Sequence, residues 1–258
     1  MGSIIASNLI KESGVLPSQI KVIKQTNKNK IPEICYLKNS KNLPKNYQSD
    51  IVFIAIKPQD AEQILKEFAT QKIFHKKTIF ISILAGKKIE FFEKIFGEKA
   101  KIIRSMPNLA IQYSQGIFAY FCNKNIAKTE NKKLAKIFEK FGSAFEIESE
   151  KLFDAITAIF GSGPAYIFLL QEIFAEIAIL SGIDKEKAES LTKKLFFGSS
   201  LMSESATQNF SDLRASVTSK NGTTEAALKI LQKNSVLKDV FKKAISAAQK
   251  KSNELAKF

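Results

Sequence analysis

Residues Arg214–Ala227 read RASVTSKNGTTEAA, a run that crowds hydroxyl groups around a turn. Ser216, Thr218 and Ser219 lie almost side by side, and Asn221-Gly222 tolerates positive φ. Thr223 and Thr224 then open an apolar-periodic stretch that reads as a helix start. A turn of backbone N–H groups leading into a helix N-terminus is a seat for an anion such as a small carboxylate. Taken alone, the same residues also make an ordinary cap that serves only its own helix. The elements that carry this stretch have to decide between the two.

The composition narrows the field. The chain has 258 residues, 45% of them hydrophobic and 25% charged, with a formal charge of +15. That balance suits a globular protein and raises the question of a nucleic-acid or membrane partner. Only Arg104 and Arg214 are arginines, and the lysines are spread over many segments, which argues against a dedicated phosphate reader. Attraction of an anionic substrate or cofactor remains compatible with the charge. His75 is the sole histidine and reads as part of a surface loop beside Lys76-Lys77, so no histidine-based triad or metal site is expected. Cys35 and Cys122 sit in apolar runs without metal spacing and are expected to be buried free thiols in a reducing compartment. The start of the chain lacks the features of a signal peptide, and Ala165–Leu180 is interrupted by Gln171, Glu172 and Glu176. A cytoplasmic protein with no membrane span is the expectation.

Up to about residue 150, strand patterns alternate with helix patterns. Ile20–Ile23, Ile34–Leu37, Asp50–Lys57, Thr78–Ile83, Lys101–Arg104, Gly116–Phe121 and Ala144–Ile147 read as strands. Such alternation implies an α/β layer with a mostly parallel sheet, in which ligands bind beyond the carboxyl ends of the strands. Ala55, Lys57-Pro58 and Met106-Pro107-Asn108 lie there, as does the basic tip Lys24 to Lys28. In a dinucleotide-binding sheet, Lys24, Thr26 and Lys28 would suit a 2′-phosphate and so favour NADP over NAD. From residue 151 onward only helical periodicity remains. The predicted division is therefore 1–150, a cofactor-type α/β domain, and 151–258, an all-helical domain. Its helix from Pro164 is apolar nearly all round, which predicts burial in a dimer core.

With these elements in place, an ordered set of motifs stands out. Phe153-Asp154-Ala155-Ile156-Thr157-Ala158, Gly161-Ser162-Gly163-Pro164-Ala165-Tyr166, and Val217-Thr218-Ser219 with Gly222-Thr223-Thr224 resemble the pyrroline-5-carboxylate reductase family. Asp50–Gln59, Ile81-Ser82-Ile83 with Ala85-Gly86, and Arg104-Ser105-Met106-Pro107-Asn108 follow the same order and spacing. The resemblance implies a Rossmann-like N-terminal domain followed by an all-α dimerisation domain. It implies reduction of Δ1-pyrroline-5-carboxylate to L-proline by NADPH or NADH, with no metal. By position, Ser219, Gly222, Thr223 and Thr224 would hold the substrate carboxylate, and Thr224 would lie near the ring nitrogen as the catalytic residue. Gly2, Lys24, Thr26, Lys28, Ala55, Lys57, Pro58 and Asn108 would form the cofactor site.

Three departures qualify this picture. The family opens with a strand and a Gly-x-Gly turn, whereas this chain opens at Met1-Gly2-Ser3-Ile4, with Gly2 in the place of the last position of the turn. Either the start lies upstream of Met1, or the chain is a truncated relative that binds cofactor poorly and persists as a dimeric binding protein. Loss of the first strand predicts two exposed strand edges and an incomplete pyrophosphate cradle. Lys220-Asn221 replaces the family's Pro-Gly, and Leu109-Ala110 its Thr-Pro. A related imine reductase or hydroxyacid dehydrogenase is the nearest enzymatic alternative.

Overall fold

The computed structural model describes residues 1–24, 31–44, 47–71 and 73–255. Packing divides the chain into two units, Met1–Ser162 with Ala248–Phe258, and Gly163–Ala247. Residues 151–162, beyond the expected line at 150/151, group with the sheet-bearing unit. Phe153 and Ile156 join Met106, Ala119 and Ile147 in one core cluster.

In the first unit, β1 (Lys21–Ile23) pairs in parallel with β2 (Cys35–Leu37). β3 (Ser49–Ile54), β4 (Phe74–Ser82), β5 (Lys101–Pro107), β6 (Gly116–Cys122) and β7 (Gly142–Glu146) form a second sheet in that order. β3, β4 and β5 are parallel, as expected of strands joined by crossover helices. β6 runs antiparallel to β5 because only the short 3₁₀ turn Leu109–Tyr113 separates them, and β7 returns parallel to β6. Among the described residues the two sheets are not joined. Ile51 on β3, an edge strand of the larger sheet, is exposed.

Helices cover both faces of the larger sheet, and the period-2 alternation of its strands decides which residue meets which helix. Ile79, Ile81 and Ile103 face a cluster with Ile5 of α1 (Gly2–Lys11) and Leu134 and Phe138 of α4 (Lys128–Phe138). Phe80 and Ile102 face the other way, toward Ala61 and Leu65 of α2 (Ala61–Ala69) and Phe92 of α3 (Ile89–Phe96). α5 (Phe153–Ile156) and a π-helical turn, Thr157–Gly161, follow the sheet.

The second unit is helical: α6 (Gly163–Leu180), α7 (Lys185–Ser205), α8 (Phe210–Ser216), α9 (Thr223–Leu231) and most of α10 (Val236–Leu255). Phe174 of α6 meets Phe196 of α7 edge to face at 5.5 Å. The expected burial of α6 is not met within one chain, since none of its residues is buried and Ile167, Phe168, Leu169, Phe174 and Ile177 are exposed. The small helical unit covers little of α6, so its apolar surface stays open. By length and composition the helical run Glu150–Leu180, mean hydropathy 1.5 in its most apolar window, is apolar enough to cross a membrane.

Two smaller expectations are corrected. Cys35 is exposed and Cys122 half-buried. Burial and the nearby Glu146 carboxylate push the Cys122 thiol well above its usual range, so it stays protonated. His75 lies in β4, not a loop, with its ring 3.3 Å from the Asp50 carboxylate.

The packing of the larger sheet yields a stability prediction. Phe118 is fully buried and stacks on Phe138 at a centroid distance of 4.5 Å. Phe118→Ala should cost about 3–5 kcal/mol in denaturant unfolding, because the surrounding rings cannot close the cavity. A loss below about 1 kcal/mol would contradict this packing.

Candidate active site

The hydroxyl-rich stretch forms a turn between α8 and α9. Gly222 N–H donates to the Ser219 carbonyl at 3.1 Å, closing the turn. Asn221 takes φ 59°, so the left-handed position survives without the family's Pro-Gly. Glu225 in the first turn of α9 reaches back and accepts the Asn221 N–H at 2.9 Å. That hydrogen bond, with Lys229 at 3.2 Å, holds the Glu225 carboxyl below its usual range. Thr218 is not free to point at a ligand, because its hydroxyl donates to the Arg214 carbonyl at 2.6 Å.

What remains is a small set of donors at the start of α9. Gly222 is the N-cap of α9 and brings no side-chain cap, so the N–H groups of the first turn, Thr223 and Thr224 among them, point outward without one. A Cβ on Gly222 would lie 2.3 Å from Ser219 Oγ, so only glycine lets that hydroxyl sit over the turn. Thr223 is exposed and Thr224 half-buried. Ser219, Gly222, Thr223 and Thr224 are thus gathered at one helix end, where N–H and O–H donors can meet an anion.

The predicted cofactor residues occupy the carboxyl ends of strands in the first unit. Lys24 follows β1, its backbone N–H bonded to the Leu37 carbonyl at 2.9 Å. Thr26 and Lys28 lie outside the described residues. Ala55 and Lys57-Pro58 follow β3. Gly2 begins α1 beside them: a Cβ there would come within 3.0 Å of the Ala55 methyl. The α1 N-terminus, which carries no side-chain cap, therefore lies at the end of β3.

Asn108 ends β5 and is buried, with its side chain committed to the protein. Its Oδ1 accepts N–H bonds from Ala110 and Ile117 at 3.2 Å each, and its Nδ2 donates to the Phe160 carbonyl at 3.3 Å. The pairing of Arg104, part of the motif that ends at Asn108, with Glu150 was not foreseen from the sequence and completes this layer. Arg104, in the middle of β5, donates to Glu150 at 3.0 Å. A charged residue inside the apolar strand KIIRSMP was the available signal, since a buried charge needs a partner.

The chain has counterparts among known proteins. Residues 150–255 match the family profile "Pyrroline-5-carboxylate reductase dimerisation". Residues 1–86 match "NADP oxidoreductase coenzyme F420-dependent". The pyrroline-5-carboxylate reductase of Aquifex aeolicus is 34% identical over 80% of this chain and 76% of its own length. This chain belongs to the pyrroline-5-carboxylate reductase family. The Pseudomonas aeruginosa member is 31% identical over 81% of this chain and 75% of its own. Among solved structures, the Plasmodium falciparum pyrroline carboxylate reductase with NADP bound superposes with a TM-score of 0.87 at 29% identity. It covers 99% of this chain and 94% of that one. The Coxiella burnetii enzyme gives 0.84 at 30% identity, covering 100% and 95%. The match to a dimerisation family supports a homo-oligomer.

The turn can be tested through its backbone. Asn221→Gly keeps the left-handed conformation and should leave the thermal midpoint nearly unchanged. Asn221→Val puts a β-branched residue at φ 59°; a penalty of about 1–2 kcal/mol should lower the midpoint by about 2–8 °C. Equal midpoints for the two variants would mean that residue 221 is not left-handed in solution.

Proposed function

We propose that this chain reduces Δ1-pyrroline-5-carboxylate to L-proline with a hydride from NADPH or NADH, the last step of proline biosynthesis. The observation that carries the reading is the turn Ser219–Thr224, which keeps its left-handed residue and its uncapped helix end despite the Lys-Asn substitution. Ser219 and the N–H groups around Gly222 and Thr223 hold the substrate carboxylate. Thr224 places its hydroxyl beside the ring nitrogen. The protonated imine is already electrophilic, so reduction needs a hydride on carbon, a proton on nitrogen and alignment of the two partners.

A dinucleotide fits the first unit in one respect that the structure supports directly. Gly2 and Ala55 are small residues packed against each other where the α1 N-terminus meets the end of β3, leaving backbone donors open to a pyrophosphate. Lys57 and Pro58 line the next loop, and Lys24, with Thr26 and Lys28, would meet a 2′-phosphate. Asn108 shapes the end of β5, where the nicotinamide supplies the hydride when bound. The chain acts as a homodimer or larger homo-oligomer in the cytoplasm. Its apolar α6 face is covered by a second copy and not by lipid, because Glu172 and Glu176 interrupt it. No nucleic acid is involved, since arginine is scarce and the lysines are dispersed.

A second reading, an inactive dimeric binding protein, is favoured by the two sheets, β1-β2 and β3 to β7, which are not joined among the described residues. NADPH titration separates the two: saturable binding supports the reductase, and its absence supports the binding protein. In the reductase, Thr224→Ala should lower kcat/KM for the imine by about 10–100-fold while changing the NADPH Kd by less than about threefold. Equal loss of both would remove Thr224 from the substrate site.

A further inference from the structure

Arg104 is only 2% exposed, in the middle of a strand buried on both faces. An aliphatic residue would pack there at lower cost, since a buried guanidinium loses its hydration. Its neighbours show what the charge does. Nη1 bonds Glu150 Oε1 at 3.0 Å, and the same oxygen accepts the N–H of Ile89, the first residue of α3, at 2.8 Å. The guanidinium carbon lies 4.3 Å from the centre of the Phe153 ring at the start of α5. Asp154, whose charge also favours the cation, accepts the Ser252 hydroxyl of α10 at 2.7 Å. Arg104 thus ties β5 to α5 directly and to α3 through Glu150.

The contacts continue along one face of the strand. Two residues on from Arg104, Met106 lies under the π-helical turn, with its Cγ 3.5 Å from the place of a Cβ on Gly161. Beyond it, Asn108 bonds the Phe160 carbonyl. Positions 104, 106 and 108 therefore meet Phe153, Gly161 and Phe160, and the turn itself is closed by Ser162 N–H to the Thr157 carbonyl at 2.9 Å.

We infer that Arg104 is a positioning residue: paired with Glu150, it seats Phe153–Gly161 along β5 and thereby fixes Met106–Asn108, the strand end at which hydride transfer takes place. The catalytic half of this inference rests on the proposed reductase activity; the seating does not.

The test compares wild type, R104M, E150Q and the double variant R104M/E150Q as full chains. Hydrogen exchange over residues 153–162, thermal midpoint, NADPH Kd, and kcat and KM for the imine are measured on each. R104M should speed exchange in 153–162 about tenfold relative to α4 and lower kcat about tenfold, with the NADPH Kd within about threefold. The double variant buries neither charge unpaired, so it should regain most of the thermal stability while kcat stays low. It also serves if R104M does not fold. Recovery of kcat together with stability in the double variant would show that the pair is structural only, and overturn the inference. So would unchanged exchange over 153–162 in a folded variant. If wild type fails to reduce the imine, the reductase reading falls, and the exchange comparison still decides the seating.

Discussion

Burial of β4 and β5 on both faces is the constraint from which the first unit follows. A strand with helices above and below must present apolar side chains in both directions, and Ile79, Phe80 and Ile81 do so in succession. Ile102 and Ile103 repeat the arrangement one strand over. Fixing those two strands fixes where their carboxyl ends lie, and with them the loops able to meet a ligand. A charge inside this layer needs a partner: Arg104 finds Glu150 through Nη1, while its Nε makes no hydrogen bond. Asn123 shows the same economy, accepting the Ile102 N–H while donating to the Ala100 carbonyl and Glu93.

The two units solve the burial problem differently. The first closes its core internally, with rings such as Phe92, Phe118 and Phe138 out of solvent. In the second, α6 and α7 meet each other but leave Phe168, Phe197 and Leu201 open. A helix apolar on all sides reads the same in sequence whether its cover comes from its own chain or another. Folding of this unit and assembly of the homo-oligomer are accordingly linked, and its measured stability should depend on protomer concentration.

That difference also explains what the amino-acid pattern did and did not reveal. Every strand of the larger sheet was legible, because continuous apolar runs such as Ile51–Ile56 have few alternatives. The helical half was legible from periodicity. The antiparallel turn at β6 was not foreseen, because it depends on the length of the Leu109–Tyr113 link and not on any residue type. His75 was misplaced because a His-Lys-Lys run is locally polar, yet it lies on the outer end of β4. At the candidate site, residue types found the turn Ser219–Thr224, but only coordinates show that Thr218 and Asn108 direct their polar groups to the protein. A side chain's hydrogen-bond partner depends on tertiary contacts, which a motif does not encode.

The turn before α9 shows how a loop keeps its shape after losing its stiffest residue. Proline limits the conformations of the unfolded chain, and Lys220 does not. Here the ordering comes from the folded side. Glu225 occupies the third position of α9 and accepts the N–H of Asn221, as the acidic residue of a capping box would, although one position earlier in the chain. The same bond commits the Glu225 carboxylate to the turn. Lys229, at 3.2 Å, balances Glu225 from the next turn of the helix. Asn221 in the left-handed region, Glu225 turned back upon it and glycine at 222 are therefore one arrangement: each fixes the backbone that the others need, and together they leave the helix end open to an anion.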